Sequence, residues 1–105
     1  MTEIRIEVLE YMGHWNGYCG IPKDHPFYGL SYYSEELTSL DVHGGVTYSD
    51  KYLGIEKTPG EQLWWIGFDT AHFGDEEPKS KEYVEREVLK LKEQLVAAWN
   101  TENKK

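Results

Sequence analysis

Apolar and polar residues alternate in the first half of the chain and change period once, near its end. Ile4, Ile6 and Val8 alternate with Arg5 and Glu7, the two-residue repeat of a half-buried strand; a helix through Ile4, Val8 and Met12 is the alternative. Over residues 13–21, Trp15, Gly17, Cys19 and Ile21 fall on one side and His14, Asn16 and Tyr18 on the other, which predicts a second strand. Pro22 and Pro26 break regular pairing and make residues 23–25 a turn. Residues 27–40 are rich in tyrosine and irregular, with one short helical turn near residues 35–40. Residues 42–49 and 63–69 read as the clearest strands. In the first, Val42, Val46 and Tyr48 share a face with Gly44, and His43, Thr47 and Ser49 share the other with Gly45. In the second, Trp64, Ile66 and Phe68 oppose Trp65, Gly67 and Asp69. Their connector, residues 50–62, is long for a hairpin, and connectors of about a dozen residues often serve function or assembly.

From Ser80 onward the repeat becomes helical. Val84, Val88, Leu91, Leu95 and Ala98-Trp99 recur at three and four, an amphipathic helix running to about Asn100. Pro78 and Ser80 are start signals, and Glu82, Glu85 and Glu87 suit its positive end. Glu82 with Arg86 and Glu87 with Lys90 read as surface ion pairs, with the helix glutamates as a solvated face. The pattern predicts an α+β fold, a small antiparallel sheet with one long C-terminal amphipathic helix packed on it. Residues 1–105 form a single domain: strands and loops over 1–77, the helix over 78–100, a frayed tail over 101–105.

A chain of 105 residues has a thin core, burying roughly 65% of the surface its unfolded form exposes. Against that, aromatic residues make up 14% of the chain, and Trp15, Trp64, Trp65 and Trp99 must bury area or line a site. Some of those rings are therefore expected to face a pocket or a second subunit, which favours a homo-oligomer. A net charge of −8 with only two arginines, Arg5 and Arg86, excludes a duplex nucleic-acid binder of the usual basic kind. A single cysteine, Cys19, precludes an internal disulfide and suits a reducing compartment. No apolar run reaches membrane-spanning length and the charged start is not signal-like, so a cytoplasmic location without membrane contact is expected.

Chemistry-bearing residues gather in the strands and loops; none of His14, His25, His43 and His72 lies on the helix. Asp69, His72 and Asp75, spaced three apart in a glycine-bounded loop, suggest a metal site or an acid–base pair. The same residues can equally serve as loop caps, and the spacing matches no recognised metal motif. Gly45 lies between His43 and Thr47, as Gly67 lies between Trp65 and Asp69. Paired, the two strands would present a side-chain-free floor for a flat group, walled by Trp65; a bulged strand near a bend is the structural alternative. Asn16 and Tyr18 could hydrogen-bond a base or sugar, and Lys23 could meet a phosphate. Cys19 has no visible activating base and reads as a small buried hydrophobe.

The runs Gly13-His14, Gly17-Tyr18-Cys19-Gly20-Ile21-Pro22, His25-Pro26-Phe27-Tyr28-Gly29, Asp41-Val42-His43-Gly44-Gly45-Val46-Thr47-Tyr48 and Trp64-Trp65-Ile66-Gly67-Phe68-Asp69-Thr70-Ala71-His72-Phe73-Gly74-Asp75 together resemble a family of small phage and prophage proteins. The similarity spans residues 13–95, with a variable stretch over 49–63. It implies a phage setting, in which small acidic proteins often block host defences, some of them by sequestering nucleotide immune signals. The expected function is thus non-enzymatic binding of a nucleotide-like small molecule, an anti-defence sponge. Its ligand-binding residues would be Trp15, Tyr18, His43, Gly45, Thr47, Trp65, Asp69 and His72, with no catalytic residue, metal or cofactor. Two other readings are a metal-dependent phosphodiesterase using His43, Asp69, His72 and Asp75, and a protein–protein inhibitor of a host defence enzyme.

Overall fold

The computed structural model describes residues 4–11, 13–51, 63–70 and 80–103. Six elements follow in order: β1 (Arg5–Tyr11), β2 (His14–Ile21), α1 (Glu35–Thr38), β3 (Tyr48–Asp50), β4 (Trp64–Phe68) and α2 (Lys81–Asn103). The strands form one antiparallel sheet in the order β1-β2-β4-β3, and α2 packs across β2 and β1. The α+β arrangement expected from the change of period is the one observed.

Alternation decides what each sheet face carries. Pairing of Ile6 with Cys19, Val8 with Gly17, Cys19 with Ile66 and Gly17 with Phe68 gathers the apolar side chains on the face that meets α2. From the helix, Val84, Val88, Leu91 and Leu95 face this layer, each at most 1% exposed. The opposite face carries Arg5, Glu7, Asn16, Tyr18, Gly20, Trp65, Gly67, Tyr48 and Asp50. At its start, α2 is capped by Ser80, whose hydroxyl accepts the Tyr83 N–H at 3.0 Å. The helix continues through Asn103, three residues beyond the expected end.

Three bare glycines in the β2–β4 pair accommodate aromatic rings from the opposite strand. A Cβ on Gly17 would lie 2.7 Å from the Phe68 ring, one on Gly20 2.9 Å from Trp65, and one on Gly67 2.3 Å from Tyr18. Each is a directly opposed cross-strand pair, the arrangement in which a ring shields a glycine backbone. The sheet thus acquires aromatic cover on both faces.

The expected strand over residues 42–49 is the main departure. Only Tyr48–Asp50 pairs as a strand. Gly44 and Gly45 adopt φ of 69° and 80°, closing a turn in which the Gly45 N–H reaches the Val42 carbonyl at 2.8 Å. Those left-handed angles suit glycine and interrupt a strand. The turn returns both Val42 and Val46 to the core, at 7% and 8% exposure, so burial follows the expected pattern though the backbone does not.

The segment leading into this turn is clamped to a polar stripe of α2. The Asp41 N–H donates to Gln94 Oε1 at 2.8 Å, and Gln94 Nε2 returns a bond to the Asp41 carbonyl at 2.8 Å. The His43 N–H donates to Glu87 Oε1 at 2.9 Å, and His43 Nδ1 lies 2.8 Å from the Tyr83 hydroxyl. Lys90 pairs with Glu87 as expected, at 3.4 Å, and reaches Asp41 at 3.8 Å. Glu87 is therefore a backbone acceptor for a loop rather than part of a solvated face.

His25 fastens the preceding loop to the far end of α2. It is 3% exposed; its Nδ1 accepts the Phe27 N–H at 2.9 Å, which leaves Nε2 to carry the proton donated to the Leu95 carbonyl at 2.8 Å. Protonating Nδ1 would set two donors against each other. Burial lowers the His25 pKa below its ordinary 6.5, partly offset by the Leu95 carbonyl and the Asp24 carboxylate. Between the folded and unfolded pKa values the unfolded chain binds more protons, so this contribution is intact above pH ~6.5 and lost as pH falls below it. Urea midpoints measured from pH 7.5 to 5 should fall more steeply for the wild-type chain than for His25→Gln. Parallel profiles would show that His25 does not titrate on unfolding.

Candidate functional site

The face of the sheet turned away from α2 carries the densest set of polar groups with ligand-binding character. His14, Asn16 and Tyr18 alternate along β2, so all three side chains project to this side. Next to them β4 contributes Gly67 and runs out into Asp69, whose charge helps to raise the Tyr18 pKa. Burial is the larger cause of that rise, and a hydrogen bond from the Asn16 side chain opposes it. The Tyr18 ring lies over Gly67 and meets Tyr48 edge-on, with centroids 5.5 Å apart and planes at 81°. Tyr48 is also raised, by its own burial and then by Asp50 and Tyr18. Thr47 closes the far side, its hydroxyl donating to Asp69 Oδ2 at 3.3 Å and its N–H to the Gly67 carbonyl at 2.9 Å.

Two polar atoms on this face have no hydrogen-bond partner among the described residues. Asn16 is 9% exposed, and its amide oxygen is buried without a hydrogen bond. Nδ1 of His14, two residues earlier, is likewise buried and unpaired. A buried acceptor left unsatisfied costs about 1–3 kcal/mol, and such groups are few in folded proteins.

Of the residues expected to bind ligand, Tyr18, Thr47, Trp65 and Asp69 are associated with this face or its edge. Trp65 is enclosed rather than open: it is 3% exposed, rests on Gly20, which Leu63 also covers, and has the Arg5 guanidinium 6.0 Å from its ring centroid. Trp15 sits on the helix face, with Lys81 Nζ 5.4 Å from its ring centroid. His43 is engaged by Tyr83 and Glu87 of α2. Gly45 stands in the turn two residues before Thr47, with nothing within 4 Å of a would-be Cβ. The Thr47 N–H bonds the Gly67 carbonyl, which brings the turn holding Gly45 close to β4, but the space above Gly67 is filled by Tyr18. The two glycines do not make a shared bare floor. His72 and Asp75 lie outside the described residues.

His14 was not among the expected binding residues, although its alternation with Asn16 and Tyr18 is plain in the sequence. Its significance comes from an atom lacking a partner, which only coordinates reveal. Cys19 has no exposed surface; its thiol points to the Val88 carbonyl at 3.6 Å, and burial pushes its pKa up to about 12. Among the described residues, no group of three or more histidine, cysteine, aspartate or glutamate side chains is placed to hold a metal ion. No helix among them is long and apolar enough to cross a membrane. No protein-family model, curated protein or solved structure matches the chain.

Proposed function

We propose that this chain binds a small nucleotide-like molecule on the sheet face opposite α2 and holds it without turning it over. The carrying observation is the pair of unpartnered buried atoms, Asn16 Oδ1 and His14 Nδ1, beside the Tyr18 phenol and the Asp69 carboxylate. An acceptor and an imidazole from β2 with a carboxylate from the end of β4 suit the amino and imino edges of a base or the hydroxyls of a sugar. A donor that reaches Asn16 Oδ1 would gain a hydrogen bond that no described residue supplies. Binding without turnover agrees with the chemistry of Cys19, whose thiol is buried and held protonated. The phage setting implied by the sequence resemblance makes a host nucleotide signal the ligand of choice and sequestration the biological role.

Asn16→Leu tests the reading because it removes the acceptor at nearly constant shape. Titration calorimetry with ATP, cyclic AMP and cyclic dinucleotides, without divalent metal, should show saturable binding by the wild-type chain. Asn16→Leu should weaken that binding by about tenfold or more, while ligand-free stability changes by no more than about 1 kcal/mol, the lost hydrogen bond to Tyr18 offsetting removal of the isolated acceptor. Heat-denatured wild-type protein should release the nucleotide chemically unchanged, as read by mass spectrometry. A variant that loses stability and leaves nucleotide binding untouched would give Asn16 a purely structural role and remove the proposal's support.

A further inference from the structure

We propose that the outer edge of β1 is a homodimer interface, in which two copies pair antiparallel about a two-fold axis at Ile6. β1 is an edge strand seven residues long, and no strand pairs its outer side among the described residues. Long edges are ordinarily blunted by proline, lysine or a bulge, and Arg5–Tyr11 contains no proline or lysine and pairs with β2 in unbroken register. On the helix side, Ile6 and Val8 with Lys81, Glu85, Val88 and Leu89 line an open groove of about 460 Å³. Leu89, at 51% exposure, is the more exposed of the two large aliphatic residues, Leu89 and Val96, left open on α2.

Charge and apolar pattern together select a second copy as the occupant and set its register. A two-fold axis perpendicular to a continuous antiparallel sheet keeps the same face of both copies on the same side, so it must pass through a residue or its equivalent. Centred on Glu7, the pairing would oppose Glu7 to itself. Centred on Val8, it would oppose Ile6 to Glu10 and Glu7 to Leu9. Centred on Ile6, it opposes Arg5 to Glu7 of the second copy twice on one face, extending the pair that Arg5 and Glu7 already form at 3.4 Å within each chain into a four-charge cluster. On the other it opposes Ile6 to Ile6 and Val8 to Ile4, continuous with the groove beside Leu89. Of these three registers, this one alone satisfies both faces.

The arrangement makes an unusual demand on charge reversal. Arg5→Glu and Glu7→Arg each place like charges opposite one another twice, whereas a mixture of the two variants restores two opposite pairs per dimer. Sedimentation of the wild-type chain from about 1 μM to about 1 mM should show a species of twice 12.3 kDa forming with concentration. Each single variant should weaken association by about tenfold or more with an unchanged circular dichroism spectrum. An equimolar mixture should dimerise again, and the doubly reversed chain should dimerise alone. A wild-type chain monomeric throughout that range would overturn the proposal and leave the edge to an unlike partner. A dimer indifferent to both reversals would overturn it equally, by placing the interface elsewhere.

Discussion

Replacing Gly67 by alanine should cost about 3 kcal/mol of stability, far more than a single methyl group costs on an open strand. The new Cβ would meet the Tyr18 ring at 2.3 Å, and behind it the Gly17 carbonyl oxygen at 2.8 Å. A flexible side-chain tip could yield to the first contact, but the second is to backbone in the central β2–β4 ladder, which cannot move without loosening the pairing. Gly45→Ala supplies the contrast. Its Cβ would touch nothing, so the cost there is that of a left-handed φ of 80°, about 1 kcal/mol. Urea titration of the two variants should therefore rank Gly67→Ala well below Gly45→Ala. Equal midpoints would mean that Tyr18 does not rest on Gly67 in solution. Because Tyr18 also belongs to the proposed binding face, Gly67→Ala should weaken nucleotide binding as well.

Phe68→Ala should have a comparable or larger effect, about 4 kcal/mol. The ring is 1% exposed and fills the space over Gly17, against which Val88 also packs. Truncation costs least where neighbours can collapse into the void, but here the residue directly beneath has no side chain with which to follow. In a domain whose whole stability is about 5–15 kcal/mol, the variant should unfold at a markedly lower temperature, and calorimetry would show it. Gly17→Ala in the Phe68→Ala background should recover part of the loss, since the added methyl group occupies some of the vacated volume. A double variant no better than the single one would show that the two residues do not share that space.

The elements with unambiguous period were legible from sequence. β1 and β2 carry alternating stretches over residues 4–8 and 13–21, β4 sets Trp64, Ile66 and Phe68 against Trp65 and Gly67, α2 repeats at three and four, and all four are formed. Residues 42–47 misled because Val42 and Val46 are spaced as a strand would place them. A double-glycine turn delivers the same burial by another backbone path, and hydropathy records burial rather than φ. Glu87 misled for a related reason: a polar helix stripe facing solvent and one gripping a loop have the same composition. The candidate site was legible in part. Alternation places Asn16 and Tyr18 on one face, but which ring lies over which glycine depends on strand register across some fifty residues of chain. That register turned Trp65 inward onto Gly20 and left Tyr18 and Tyr48 to clothe the face instead.

The loop fastenings to α2 carry a kinetic consequence. His25 with Leu95, Asp41 with Gln94 and His43 with Glu87 join positions 70, 53 and 44 apart in sequence. Such distant closures are slow to find, because their entropic cost precedes any reward. The hairpin of β1 and β2 can zip early from neighbouring residues, whereas the stretch from Pro22 to Thr47 must wait for the last helix to arrive. On a ribosome, the apolar face of the sheet stays unroofed until α2, which follows every strand in sequence, has emerged, and over that interval it is open to misassociation.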